Sequence, residues 1–236
     1  ADLDRMMIAA HNVTAGLQAP RKGWMLDSGG FTQLTRRGLY DDTPRDYVRF
    51  VMDAAGQVPG LDAAIQQDYP MNGPVDDATP LRRHEAPGLS RLATRTRARY
   101  LHTVDAADEL GCDVDIAPAL QGQTLADYRR HLSLIEHLLT PGQLVAIGNL
   151  KDDGHGPAFL RDLLLTLPDG YRYHALGIGK HYLNSSVGSV LRRRLWSCDS
   201  AAWKVRARYA GYDQNGTAFA RSYTDDLVRS APLFTA

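Results

Sequence analysis

Trp24-Met25-Leu26-Asp27-Ser28-Gly29-Gly30-Phe31 is an apolar run that climbs into a carboxylate and breaks at once on a serine and two glycines. A buried strand ending in an acid delivers a charged group to the rim of a sheet. The glycine pair lets the backbone turn sharply and lets another molecule approach closely. Phe31 then offers a flat face beside the acid. Taken alone, the stretch also suits an ordinary strand-to-loop turn, so the rest of the chain decides between the two.

Working outward, six further short apolar segments read as strands alongside Gly23–Asp27: Met6–His11, Leu61–Gln67, Val114–Gln121, Leu144–Gly148, Arg172–Gly177 and Arg194–Asp199. Helical stretches separate them. Thr43-Pro44 is an N-cap followed by proline at the first helical position, and that helix runs toward Ala55. Ser90–Leu110 carries Leu92, Tyr100, Val104 and Ala107 at helical spacing. Thr124–Leu139 has an N-cap threonine and Leu125, Tyr128, Leu132, Ile135 and Leu139 on one face, and Pro157–Leu167 is a further apolar helix. Strand alternating with helix predicts an α/β fold with a parallel sheet. The regularity favours a TIM-like (β/α)8 barrel over an open sheet, with the eighth strand irregular or incomplete in the tail, at Thr217–Tyr223. Asp68–Pro87, with four prolines and little periodicity, reads as a long loop inside a single domain spanning 1–236.

A chain of 236 residues can bury one substantial core. The 27 basic residues balance 27 acidic ones, so no global attraction to polyanions is built in. No apolar run is long enough to cross a bilayer, and no signal-peptide pattern opens the sequence, which starts at Ala1 without an initiator methionine. Cys112 and Cys198 cannot make a metal cage or a disulfide scaffold, so a reducing, cytoplasmic setting is expected.

Polar residues and glycines fall where the barrel reading needs them. Asp27, Asp68, Gln121, Gly148, Gly177 and Asp199 each stand at the C-terminal end of a successive candidate strand, the active-site face of a barrel. Two carboxylates facing one glycosidic carbon permit double displacement, one attacking C1′ while the other moves the proton of the departing group. Neighbouring acids cannot both ionise cheaply, so one is kept protonated near neutrality. Asp68 can accept from the N1–H and amino group of a guanine-like ring, Gln121 both donates and accepts, and the backbone at Gly148-Asn149 can approach the O6 edge. Phe31 and Leu176 are suited to sandwich a planar base.

In these motifs the sequence resembles the tRNA-guanine transglycosylases, which exchange guanine for a 7-deazaguanine within a polynucleotide. The resemblance rests on Asp27-Ser28-Gly29-Gly30-Phe31, Leu120-Gln121-Gly122, Ala146-Ile147-Gly148-Asn149-Leu150, Leu176-Gly177-Ile178-Gly179 and Cys198-Asp199-Ser200, in the family's order. It implies a TIM barrel with Asp199 as nucleophile and Asp27 as general acid/base. It further implies that Ser28, Asp68, Gln121, Gly148, Asn149 and Gly177 bind the base while Phe31 and Leu176 stack on it. No metal or redox cofactor is implied, and the tRNA enzymes' dimers suggest a homodimer.

Departures separate this chain from the tRNA enzymes. Their C-terminal zinc site of three cysteines and a histidine is absent, and Asp199-Ser200-Ala201-Ala202-Trp203 replaces their Asp-Cys-Val-x-Pro-Thr-Arg. Together with Asp27-Ser28-Gly29-Gly30-Phe31-Thr32-Gln33-Leu34, that ending looks more like the DpdA-type branch, including its phage members, which inserts 7-deazaguanines such as preQ0 into DNA. The expected partners are therefore DNA and a free 7-deazaguanine base, with no membrane. The same exchange on tRNA, a hydrolase that lets water finish the reaction, and a non-catalytic nucleic-acid-binding subunit are the rival readings.

Charge is segregated along the chain. Arg82–Arg99 is basic, and Arg192, Arg193, Arg194, Lys204, Arg206 and Arg208 cluster near the last strand. Such stripes can grip phosphates or can simply be solvated helix faces. Lys180-His181 is a further candidate for phosphate contact. His155, His174 and His181 match no compact metal-ligand spacing, so surface or structural roles are expected of them. Cys198 is expected to point away from the mouth if Asp199 points in.

Overall fold

The computed structural model describes residues 6–14, 17, 22–70, 91–150 and 155–199. Eight parallel strands lie in two four-stranded sheets. The first holds β1 (Met6–Ala9), β2 (Trp24–Asp27), β3 (Leu61–Ile65) and β4 (Asp115–Ala117), paired in chain order. The second holds β5 (Ala119–Leu120), β6 (Leu144–Ile147), β7 (Arg172–Ala175) and β8 (Leu195–Cys198), again in chain order. Each of the expected strand segments contains a strand. One of them, Val114–Gln121, is divided into β4 and β5 by Pro118, which has no N–H for the ladder. The Pro118 carbonyl still accepts from the Ala146 N–H at 2.8 Å, so the chain passes from one sheet to the next without leaving the layer. The expected eighth barrel strand, Thr217–Tyr223, lies outside the described residues.

The helices are α1 (Gly30–Arg37), α2 (Pro44–Gln57), α3 (Arg91–Leu110), α4 (Leu125–Ser133), α5 (Pro157–Thr166), α6 (Lys180–Leu183) and α7 (Gly188–Arg194). Thr43 and Thr124 close capping boxes with Asp46 and Asp127, so two helix starts are fixed by local chemistry. The stretch read as one helix over Thr124–Leu139 stops at Ser133, and a 3₁₀ turn at Glu136–Leu138 follows. Helix α1 was not expected. It begins directly on the glycine pair, with Gly29 left-handed at φ 71°, a conformation costly for any side chain with a Cβ. Ala10–Asn12 is likewise a 3₁₀ turn and shortens the first strand to Ala9.

Strand residues alternate between two packed layers. Trp24 and Leu26 turn toward the helices and join Val48, Val51, Tyr128, Leu160 and Leu163 in the larger core. Trp24 is fully buried and donates its indole N–H to the Val58 carbonyl at 3.1 Å. Truncating such a residue costs about 3–5 kcal/mol. Met25, Ala63, Ile65, Ala117, Ala119, Leu144 and Ala146 form a second, smaller cluster on the other strand face. Followed two residues at a time past the strand ends, that inner face leads from Met25 to Asp27, from Ala119 to Gln121 and from Ala146 to Gly148. The alternation of the sheet therefore sets these groups on one side.

The last strand reaches the same face through a bulge. Leu195 pairs with Tyr173 but Ser197 pairs with His174, so Trp196 is an extra residue. Without it the alternation would send Asp199 toward the helices. With it, Cys198 packs on the helix-side core and Asp199 turns inward, as the sequence reading required.

Among the described residues no helix is long and apolar enough to cross a membrane.

Candidate functional site

At the C-terminal ends of the strands, Asp27, Asp68 and Asp199 converge. Asp27 feels both other carboxylates, which links the ends of β2 and β8 and the segment after β3. Burial first, and then the Asp199 charge, raise Asp27 above the ordinary carboxylate range. The Gly29 N–H, which donates to Asp27 Oδ1 at 3.2 Å, works the other way, as do His11 and His174.

Asp199 sits in a different environment. Its Oδ1 accepts from the Gly177 N–H at 2.7 Å and lies 3.4 Å from His174 Nε2. Gly177 is left-handed at φ 72°, the conformation that turns its N–H toward the carboxylate. Two donors on one oxygen hold the group as an oriented acceptor. The acids thus differ: one is biased toward holding a proton, the other is furnished with hydrogen-bond donors.

Asp68 is 8 % exposed and accepts from the Gln121 side-chain amide. Burial, and then repulsion from Asp27, push its pKa up to about 7. The segment carrying it is pinned from behind. Tyr40 donates its hydroxyl to the Asp68 carbonyl, and the Tyr69 N–H donates to Thr96 Oγ1 at 2.9 Å. The Gln66 amide donates to the Thr96 carbonyl at 2.9 Å.

Gln121 and Gly148 meet closely. A Cβ on Gly148 would collide with the Gln121 amide, so glycine is the residue that lets these two chains touch. Asn149 is a non-glycine residue at φ 58°, held by its own amide donating to the Gly122 carbonyl at 2.8 Å. The Tyr128 hydroxyl donates to the Gly148 carbonyl at 2.8 Å. His155 stands 2.7 Å from the Asn149 carbonyl and 2.8 Å from the Gln123 carbonyl, and so ties the Gln121 and Gly148 loops together.

Three buried polar atoms at this mouth have no partner: Ser28 Oγ, Gln121 Oε1 and Asn149 Oδ1. Native interiors rarely leave such atoms unpaired, and three on neighbouring loops mark a surface built for a polar ligand. Phe31, in the first turn of α1, is 63 % exposed, and Leu176 is half-buried on the inner cluster. A shallow cavity of about 490 Å³ between Arg129, Arg130, Glu136 and Pro168 touches none of these residues. It lies near the opposite, N-terminal ends of the strands and lacks the acids.

The residues singled out for the site are therefore brought together, apart from the arginines. Arg194 donates to the Leu164 and Leu167 carbonyls, closing the end of α5, and pairs with Asp169. Arg192 donates to the Leu183 carbonyl, while Arg193 is exposed. On α3, Arg97 reaches the Leu134 carbonyl and Arg99 reaches Gln67 and the Asp42 carbonyl. Much of the basic stripe thus caps helices and braces loops. Lys204, Arg206, Arg82 and Arg83 lie outside the described residues.

The sequence reading expected only a surface or structural role of His174 and did not single out His131. His174, fully buried, sits under Asp199, and His131 Nδ1 accepts from the Gln121 N–H at 3.1 Å. Strand alternation could have found the first: His174 is in phase with Leu176, which packs on the inner cluster. His181, by contrast, is exposed and lies tilted against the Tyr182 ring.

No curated protein matches the chain. A family profile, DpdA (DeoxyPurine in DNA protein A), matches residues 7–217 and takes in all of β2 through β8, β1 from its second residue, and every residue of the converging cluster. The branch to which the motifs pointed is thus the one the chain falls in: it belongs to the DpdA family.

Proposed function

We propose that this chain replaces guanine in DNA with a preformed 7-deazaguanine base such as preQ0, through a covalent deoxyribosyl–Asp199 intermediate. The observation that carries the reading is the asymmetric pair: Asp27, disposed to hold a proton, beside Asp199, whose Oδ1 is held by the Gly177 N–H. An Asp199 oxygen attacks C1′ and the C1′–N9 bond breaks, with the departing guanine taking a proton from Asp27. The incoming base then attacks C1′ through N9, the ester to Asp199 breaks, and the N9 proton passes to Asp27. Two inversions give retention.

Asp68 and Gln121 are the groups for the base's donor edge, and Gly148-Asn149 the backbone for its O6 edge. Ser28 Oγ supplies a further polar contact at the mouth. Phe31 and Leu176 offer the stacking faces, with Gly177 shaping the floor. A base in duplex must leave the stack to reach such a mouth, with Phe31 exposed to receive it. Arg193 is the described member of the basic group left for phosphate contact, with Lys204 and Arg206 proposed for the same role. The architecture that suits this chemistry is a TIM-like barrel, and a homodimer follows the related tRNA enzymes.

Purified protein incubated with plasmid DNA, total tRNA and labelled 7-cyano-7-deazaguanine tests the reading. Label should enter DNA, and Asp199→Asn should abolish its entry. Label in tRNA alone would move the substrate to RNA, and free sugar ends without label would make the chain a hydrolase.

A further inference from the structure

Asp199 is the residue through which the proposed exchange runs, yet a carboxylate on a strand end can rotate. What holds it lies on the neighbouring strand. His174 is fully buried, with Nε2 3.4 Å from Asp199 Oδ1 and Nδ1 2.7 Å from Ser197 Oγ. The ring is closed off from solvent, and its side-chain hydrogen bonds run to these two neighbours.

The bulge explains the arrangement. Because Trp196 is the extra residue, Ser197 pairs with His174 across the sheet and turns inward with Asp199, two residues on. One imidazole thereby contacts both ends of the same short segment. The carboxylate can only accept from Nε2–H, which leaves Nδ1 as the acceptor for the Ser197 hydroxyl. The Gly177 N–H, 2.7 Å from the same oxygen, completes the clamp.

Resting on the exchange reading above, we infer that His174 is a positioning residue for Asp199, locked as its Nε2–H tautomer by Ser197 and fixing Oδ1 so that the carboxylate keeps one orientation toward the anomeric carbon. A misplaced nucleophile costs turnover rather than binding, on the order of 100-fold for a displacement of about 1 Å.

The test uses the full chain. His174→Phe fills the space without either hydrogen bond. It should lower kcat roughly 100-fold and leave KM for base and for DNA within about twofold. His174→Gln, whose amide can reach the Nε2 position, should recover at least a tenth of the wild-type kcat. Ser197→Ala, a small change that protects against a simple failure to fold, should lower kcat several-fold at unchanged KM. Long-range ¹H–¹⁵N spectra of ¹⁵N-histidine protein should show His174 as the Nε2–H tautomer, with its Nε2 resonance shifted in Asp199→Asn and its tautomer mixed in Ser197→Ala.

A wild-type kcat in His174→Phe overturns the inference, as does a KM effect without a kcat effect. So does an Nδ1–H tautomer, or a glutamine variant that folds and is no better than phenylalanine. The spectra need no substrate. If wild-type protein exchanges no base while the tautomer and its dependence on Asp199 and Ser197 are as stated, the exchange reading fails and the clamp stands.

Discussion

The backbone N–H of Gln121 donates to Nδ1 of His131 at 3.1 Å, so a buried imidazole on α4 holds the loop that carries the Gln121 side-chain amide. The bond needs a ring without a proton on Nδ1. Burial lowers the His131 pKa to about 4, which keeps the ring neutral across the physiological range.

That shift makes the fold acid-sensitive in a defined window. Below the unfolded histidine pKa of about 6.5 the unfolded chain binds a proton that the folded chain refuses. The contribution is therefore complete above about 6.5 and is lost as the pH falls toward 4, amounting to on the order of 3 kcal/mol. Urea midpoints measured from pH 7 to pH 4 should fall for the wild type and fall less for His131→Asn. Parallel curves for the two proteins would remove His131 from the account.

Asp68 should show the opposite sign. Its pKa is raised from 3.8 to about 7, so ionising it costs the fold progressively as pH rises through that interval. Asp68→Asn should stabilise the protein at pH 8 by about 1–4 kcal/mol while losing the acceptor for a base's N–H groups. Melting temperature and base exchange, measured on the same preparations, should move in opposite directions. A variant both less stable and fully active would mean that Asp68 is a structural cap.

Gly148 offers a test that touches no titratable group. Its missing Cβ leaves room for the Gln121 amide, whose Oε1 is unpaired and buried. Gly148→Ala should push Gln121 aside, raise KM for the base about tenfold or more, and change DNA binding little. Gly142→Ala makes a poor control because its φ is positive, whereas Gly56→Ala meets open space in a helix and should be neutral or slightly stabilising. An unchanged KM in Gly148→Ala would separate that glycine from base recognition.

Much of this was legible from residue order alone, for a physical reason. The strands run as buried apolar segments, and in a parallel sheet with helices outside, each such segment ends at the same rim. That is why Asp27, Gln121, Gly148 and Asp199 could be placed on one mouth before any coordinates. Thr43 and Thr124 were equally readable, because a capping box is satisfied within four residues. The bulge at Trp196 was not, since an extra residue shows itself only when the partner strand is known. The particular contacts of His131 and His174 were not legible, because their partners lie 10 and 25 positions away. The arginines misled for a related cause: a guanidinium capping a distant helix and one facing phosphate look alike in sequence.

Arg193 and Arg194 separate those two uses within one dipeptide. Arg194 donates to the Leu164 carbonyl at 2.8 Å and to the Leu167 carbonyl at 2.7 Å, satisfying acceptors that the end of α5 leaves open. Arg193 is exposed on the adjoining position of α7. Arg194→Ala should cost about 2 kcal/mol in urea denaturation, because charge-assisted bonds to helix-end carbonyls are lost. Its DNA affinity, measured where the variant remains folded, should keep the wild-type dependence on salt. Arg193→Ala should leave stability within about 0.5 kcal/mol and reduce the slope of log affinity against log salt by about one. The reverse pattern, with the salt slope following Arg194 and stability following Arg193, would require the α7 end to be turned over relative to α5.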